Sequence, residues 1–331
     1  MDRSIGTALI VAVMCTVAAF ADIDMAWVSV GDAGNAADIH GEGYGAVGRE
    51  YCIGTYEVTN TQYASFLNAV AATGDANGLY NADMGGGWNS IGGIARTGAG
   101  TDADPWVYTA RASRESRPVN YVSWYDALRF ANWMHNGCPV GTQDETTTEN
   151  GAYNMSLGAS VTRNPDALVF LPTQDEWYKA AYYKGGGLDA GYWDYPTQSD
   201  AAPTAEAPPG TDMTNGSVNQ FKLPGGYIDP TYFTTEVGAY TAKPSDSAYG
   251  TFDQGGNVWE WNESVVGGQR GMRGGSFSEP TPFVLSASAC MSSDPSNEPY
   301  GIGFRVAMVP EPAAGLMLLL TGVVAIRRQR A

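Results

Sequence analysis

Asp253-Gln254-Gly255-Gly256-Asn257-Val258-Trp259-Glu260-Trp261, followed twelve residues on by Arg273-Gly274-Gly275-Ser276-Phe277, decides how this 331-residue chain is read. Glycines flank a run that carries both aromatic rings and acidic groups. They let the backbone bend where a side chain would block it. Outward toward the C-terminus lies Gly303-Phe304-Arg305. Outward toward the N-terminus lie Leu171-Pro172-Thr173-Gln174-Asp175-Glu176-Trp177, then Pro118-Val119-Asn120-Tyr121-Val122-Ser123-Trp124-Tyr125-Asp126-Ala127, then Tyr56-Glu57-Val58-Thr59-Asn60.

Three of these motifs open helices. Thr59 and Gln62 have the spacing of a capping box, and Tyr63, Phe66, Leu67 and Val70 follow at helical intervals. Ser123 and Asp126 make a second box, weaker because Asp replaces the usual Glu. Ala127, Leu128, Ala131 and Met134 line one face behind it, and Gly137 fits as the stop. Thr173 and Glu176 start a third helix, with Trp177, Ala180 and Ala181 inward and Gly185 as the stop. Each stripe is read as core packing. Residues 167–171 read as a strand and 303–309 as a final strand. Residues 81–104, dense in Gly, and 196–215, rich in Pro, Ala, Thr and Asp, read as long surface loops.

The six motifs, in this order from Tyr56 to Arg305, resemble the formylglycine-generating (sulfatase-modifying factor) family, whose fold is related to C-type lectins. The resemblance implies a single α+β, loop-rich domain over residues 22–308, with bound calcium. Calcium requires several hard oxygen ligands. Carried over by position, Asp253 and Glu260 supply side-chain oxygens and Gly256 and Val258 supply carbonyls. A second calcium set falls on Asn219, Gln220, Asp229 and Thr231, across a more variable loop.

Active members resemble one another in a cysteine three residues after the Gly-Gly-Ser serine and another five residues later. That pair holds copper(I), a soft ion that prefers sulfur. Counted from Ser276, the two positions here are Glu279 and Val284. Cys290 is the one thiol between Ser276 and Arg305, and no Lys, Arg or His lies between them. Copper is therefore not expected. A sister branch of the fold holds iron through histidines, but His40 and His135 are the only two histidines in the chain. They are too few for a three-histidine site, and no Ser-His-Asp set or phosphate-cradling loop is evident.

The two ends carry address signals. Arg3, an apolar run over residues 5–20 and Ala19-Phe20-Ala21 read as a signal peptide cleaved to leave Asp22 first. Val309-Pro310-Glu311-Pro312, a 14-residue apolar run over 313–326 and Arg327-Arg328-Gln329-Arg330 resemble a PEP-CTERM sorting segment. The run is short of the roughly 20 residues that span a bilayer. The resemblance implies transient membrane association and an exosortase-type sorting protease as partner. Between the ends, 14 basic and 33 acidic residues leave a net charge of −19, which repels nucleic acid and anionic lipid. Cys52, Cys138 and Cys290 remain after cleavage, enough for one disulfide whose pairing the sequence leaves open.

Together these readings point to an exported, calcium-stabilised, non-catalytic binding protein at the cell surface or in the extracellular matrix. Its cleft is lined by Ser276, Glu279, Tyr300 and Trp259, and its ligand is a saccharide, a peptide or a surface protein. The alternatives are an oxidoreductase of the formylglycine-generating type using other residues, and a structural component of the envelope matrix.

Overall fold

The computed structural model describes residues 23–39, 43–187 and 190–310. The signal peptide at 1–21 and nearly all of the sorting segment at 309–331 lie outside them, as does His40.

The architecture is mixed α+β with short elements. In chain order they are β1 (Trp27–Val30), β2 (Tyr51–Gly54), α1 (Asn60–Val70), β3 (Ile94–Thr97), β4 (Val107–Ala110), α2 (Trp124–His135), β5 (Val169–Phe170), α3 (Gln174–Tyr182), β6 (Thr204–Ala205), β7 (Ser217–Val218), β8 (Trp259–Val266), β9 (Gln269–Arg273), β10 (Met291–Ser293), β11 (Ile302–Gly303) and β12 (Ala307–Met308). One sheet runs β1-β2-β12-β5, antiparallel throughout. A second runs β10-β9-β8-β11, with β11 parallel to β8. Pairs β3-β4 and β6-β7 stand apart.

All three helices begin where hydroxyl capping predicts. Thr59, Ser123 and Thr173 each accept an N–H from the residue three positions on, and each donates its own backbone N–H to that residue's side chain in return. The Asp126 version is as complete as the others: Oδ2 accepts from Ser123 N at 2.9 Å. Helix α2 ends in a Schellman turn. Gly137 (φ +83°) donates to Met134 O and Cys138 to Trp133 O. Helix α3 ends at Tyr182, three residues before the expected Gly185 stop. Tyr183 is extended, paired with Tyr192 and bonded through its hydroxyl to Asp32, so tertiary contacts end that helix rather than glycine.

The predicted inward stripes are buried: Tyr63, Phe66, Leu67 and Val70 on α1, Ala127, Leu128, Ala131 and Met134 on α2, Trp177, Ala180 and Ala181 on α3. Aromatic edges lock them together. Phe66 meets Phe130 at 5.4 Å and Phe130 meets Phe304 at 5.3 Å, both edge to face. Phe304 thus ties the C-terminal segment to both long helices.

Three further expectations change. The strand at 167–171 is only two residues long. The final strand at 303–309 is two short strands in different sheets, because Phe304 and Arg305 turn into the core between them. The loop at 81–104 is not wholly on the surface: it buries Met84, Ile91 and Ile94 and contains β3.

Candidate functional site

The segment that hands the chain from one sheet to the other puts Arg305 at the centre of the molecule, with no exposed surface. Its Nε and Nη2 grip both oxygens of Glu260 at 2.6 and 2.7 Å. Nη1 donates to Gly54 O at 3.0 Å, and Nη2 also donates to Phe252 O at 2.8 Å. The Trp177 indole N–H adds a third bond to Glu260, at 2.7 Å. The Arg305–Glu260 pair therefore joins β2, α3, β8 and the loop before β8. A bidentate charged pair of this kind is strong only when its hydrogen bonds are complete, as they are here.

Two more carboxylates stand close by. Asp253 Oδ2 accepts from Gly238 N at 2.6 Å, and burial pushes the carboxyl up to about 6. Glu57 Oε2 accepts from Asn257 Nδ2 at 3.1 Å, while its buried Oε1 has no partner among the described residues. Burial, reinforced by the charges of Asp253 and Glu260, holds the Glu57 carboxyl well above the usual range. Three buried carboxyls thus face one buried guanidinium. That imbalance is relieved either by protons or by a cation.

Gly256 (φ +90°) and Asn257 (φ +57°) bend the chain between Asp253 and Glu260. A Cβ on Gly256 would fall 2.3 Å from the carbonyl oxygen of Asn219, so only glycine fits. That oxygen accepts from Asn257 N at 2.9 Å. The first residue of the second predicted calcium set is therefore pressed against the first set. Asn219 is buried, and its Oδ1 has no partner among the described residues. Gln220, beside it, donates to Thr281 O at 2.7 Å. The Asp229 side chain has other partners, and Thr231 faces solvent. Asp229 Oδ1 accepts from the amides of Thr231 and Tyr232, its Oδ2 faces Arg117 at 3.3 Å, and Thr231 is exposed. Glu260 is likewise committed to Arg305.

The residues that fit a hard cation are thus Asp253, the Gly256 and Val258 carbonyls, and the orphaned oxygens of Glu57 and Asn219. Glu57 was not among the residues picked from sequence. Among the described residues no group of three or more His, Cys, Asp or Glu side chains could hold a metal ion by itself; a hard cation here would need amide and carbonyl oxygens as well.

The cleft residues meet next to this core. Trp259 donates its indole N–H to Glu279 Oε1 at 3.2 Å. Ser276 is fully buried, with Oγ 3.0 Å from Ser278 Oγ, so it supports the cleft rather than facing it. Val284 lies over Gly275: a Cβ on that glycine would meet it at 2.8 Å. Cys290 is half-buried and 3.4 Å from Gln174 Nε2 on α3. Tyr300 lies 6.0 Å from Phe277, and a residue not anticipated stacks on it. Trp88, 39% exposed, lies over Tyr300 at 4.8 Å and 22°, with Phe233 at 5.0 Å and Tyr227 at 6.0 Å. Trp88 N donates to Tyr121 Oη, and Arg111 and Arg114 clamp the carbonyls of Ser90, Ile91 and Gly92 behind it. The available signal was a large aromatic directly after Gly85-Gly86-Gly87.

Comparison with known proteins follows the same line. The model of the sulfatase-modifying factor enzyme 1-like domain matches residues 25–309. A formylglycine-generating enzyme from Thermomonospora curvata is 24% identical over 228 residues, which is 64% of this chain and 58% of that protein. Similar solved structures include CarF, at 20% identity, 86% of this chain, 98% of that one and a TM-score of 0.47. Variable protein 1 of Treponema denticola gives 18%, 87%, 96% and 0.49. PvdO from Pseudomonas aeruginosa gives 16%, 86%, 92% and 0.46.

Proposed function

The chain belongs to the sulfatase-modifying factor enzyme 1-like family, and from that premise we propose that it is an exported, non-catalytic member that binds a ligand in the cleft of Trp259, Glu279, Tyr300 and Trp88. The observation that carries this reading is the chemistry at the two thiolate positions. Glu279 offers a hard carboxylate already bonded to Trp259, and Val284 offers no donor atom. Copper(I) needs soft sulfur ligands, and neither side chain can serve. The stacked, part-exposed Trp88–Tyr300 pair supplies a flat apolar face, with Glu279 as hydrogen-bond acceptor for a hydroxyl or ammonium group. A saccharide, a peptide or a surface protein offers such groups.

Calcium belongs to the same proposal. Bound beside Asp253, it neutralises the buried carboxylates and fixes the Asn219 and Gly256 segments that support the cleft. Its role is structural. Release by a sorting protease places the domain at the cell surface or in the matrix.

The decisive test is metal analysis of the purified domain after supplementation with calcium or copper(I), followed by glycan-array binding of wild type and Trp88→Ala. Stoichiometric calcium, no copper, and glycan binding lost in the variant support the proposal. One-to-one copper that vanishes in Cys290→Ser refutes it.

A further inference from the structure

Cys290 stands just before the edge strand β10, and Gln174 opens α3, 116 residues earlier in the chain. Their side chains face each other. Gln174 Nε2 lies 3.4 Å from the Cys290 sulfur, which in turn lies 3.6 Å from Gln174 Oε1. Near-equal distances to the two ends of the carboxamide set the sulfur abreast of the carbon between them. Neither residue belongs to the Trp88–Tyr300 cleft or to the acidic centre around Arg305.

The choice of partner is what needs a reason. Gln174 is 2% exposed. Among the described residues its side chain bonds to nothing but Cys290. A thiol is a weak donor and a weak acceptor. A buried amide whose oxygen and nitrogen both meet sulfur has therefore exchanged good hydrogen bonds with water for poor ones. Reaction between the two groups removes that ill-satisfied amide altogether. Both residues are also firmly placed. Gln174 N donates to Ser264 Oγ on β8 at 3.0 Å. The buried Arg273 donates from Nη1 to the carbonyl of Ala289, the residue before Cys290, at 2.6 Å. Met291, the residue after it, pairs with Met272 on β9. Cys290 is a half-buried free thiol and Met291 is 46% exposed, so the pair lies at the rim of the sheet.

We propose that Cys290 and Gln174 form an internal thioester through which the protein couples covalently to a primary amine. Sγ attacks Cδ of Gln174 while its proton passes to Oε1, toward which it already donates. The C–S bond forms, the C–N bond breaks, and the proton leaves with the amide nitrogen as ammonia. Nothing is oxidised or reduced. The held contact replaces a bimolecular encounter, and the ammonia is lost to solvent. An incoming amine then bonds through nitrogen to Cδ, the C–S bond breaks, and a proton of the amine returns to Sγ. The product is a substituted amide on Gln174 beside a free Cys290. With 14 basic and 33 acidic residues between the two ends, the body attracts cationic partners, which favours the lysine side chain of another protein as the amine.

The test is intact-mass spectrometry of the purified protein in acid, before and after incubation with methylamine. Wild type should be lighter than its calculated mass by one ammonia, about 17 Da. Methylamine should bring it to about 14 Da above the calculated mass, with the methyl group on Gln174 and Cys290 newly open to iodoacetamide. Nα-acetyl-lysine should couple faster than glucosamine, and the reverse order overturns the assignment to lysine. Cys290→Ala should show its full calculated mass and take up no amine. Gln174→Met, which keeps a buried side chain of similar length without the amide, should do the same. A wild type of full mass whose Cys290 is alkylated without prior amine treatment, or a loss of ammonia that persists in Cys290→Ala, overturns the proposal.

Discussion

Gly256→Ala tests the apposition on which the candidate metal site rests. The added Cβ lands 2.3 Å from Asn219 O and 3.0 Å from Asn219 C, both backbone atoms that cannot swing aside. At φ +90° the alanine also carries a conformational penalty of about 1–2 kcal/mol. Relieving an overpacked contact costs about 1–3 kcal/mol more. The total is roughly 2–5 kcal/mol of stability. Gly267→Ala is the control: it lies in the β8–β9 turn at φ +60°, with nothing within 4 Å of its Cβ, and so carries the conformational cost alone. Guanidinium denaturation of both variants, with calcium and with EGTA, measures the difference. Gly256→Ala should be the less stable by about 1–3 kcal/mol, and it should lose most of any stabilisation by calcium. Equal costs at the two positions would show that Asn219 and Gly256 are not pressed together, and the shared-site argument would fail.

Other perturbations separate the remaining elements. Arg305→Met leaves Glu260 buried without its partner and should cost about 3–5 kcal/mol in chemical denaturation. Adding Glu260→Gln should recover part of that loss, and strict additivity would refute the pairing. Asp126 is fully buried, and burial raises its carboxyl from 3.8 to about 7. A carboxyl raised in the folded state stabilises below its unfolded pKa, and that contribution is lost as pH rises through the folded value. Asp126→Asn should therefore flatten the decline in stability between pH 4 and 7 relative to wild type, and parallel curves would contradict this burial account. Trp88→Ala should leave the melting temperature within a few degrees, since the ring is part-exposed and caps no core helix. A collapse in stability would make Trp88 a core residue rather than a binding face.

Much of the fold was legible because it is set by local chemistry. The three capping boxes fix where α1, α2 and α3 begin, since a hydroxyl or carboxyl three residues away satisfies amides that nothing else can reach. The 3.6-residue spacing of Tyr63, Phe66, Leu67 and Val70 is enough to choose the buried face. The absence of sulfur at Glu279 and Val284 is a fact of composition, which folding leaves unchanged. The tertiary structure decided what depends on partners distant in the chain. Arg305 splits the expected last strand because its guanidinium is drawn to Glu260, 45 residues earlier. Tyr183 ends α3 because Asp32, 151 residues away, holds its hydroxyl. Glu57 joins the acidic centre, and Trp88 joins Tyr300, through loops that bring remote segments together. Local propensity reaches only a few residues, whereas a buried charge or ring takes its place from whichever partner the whole chain brings to it.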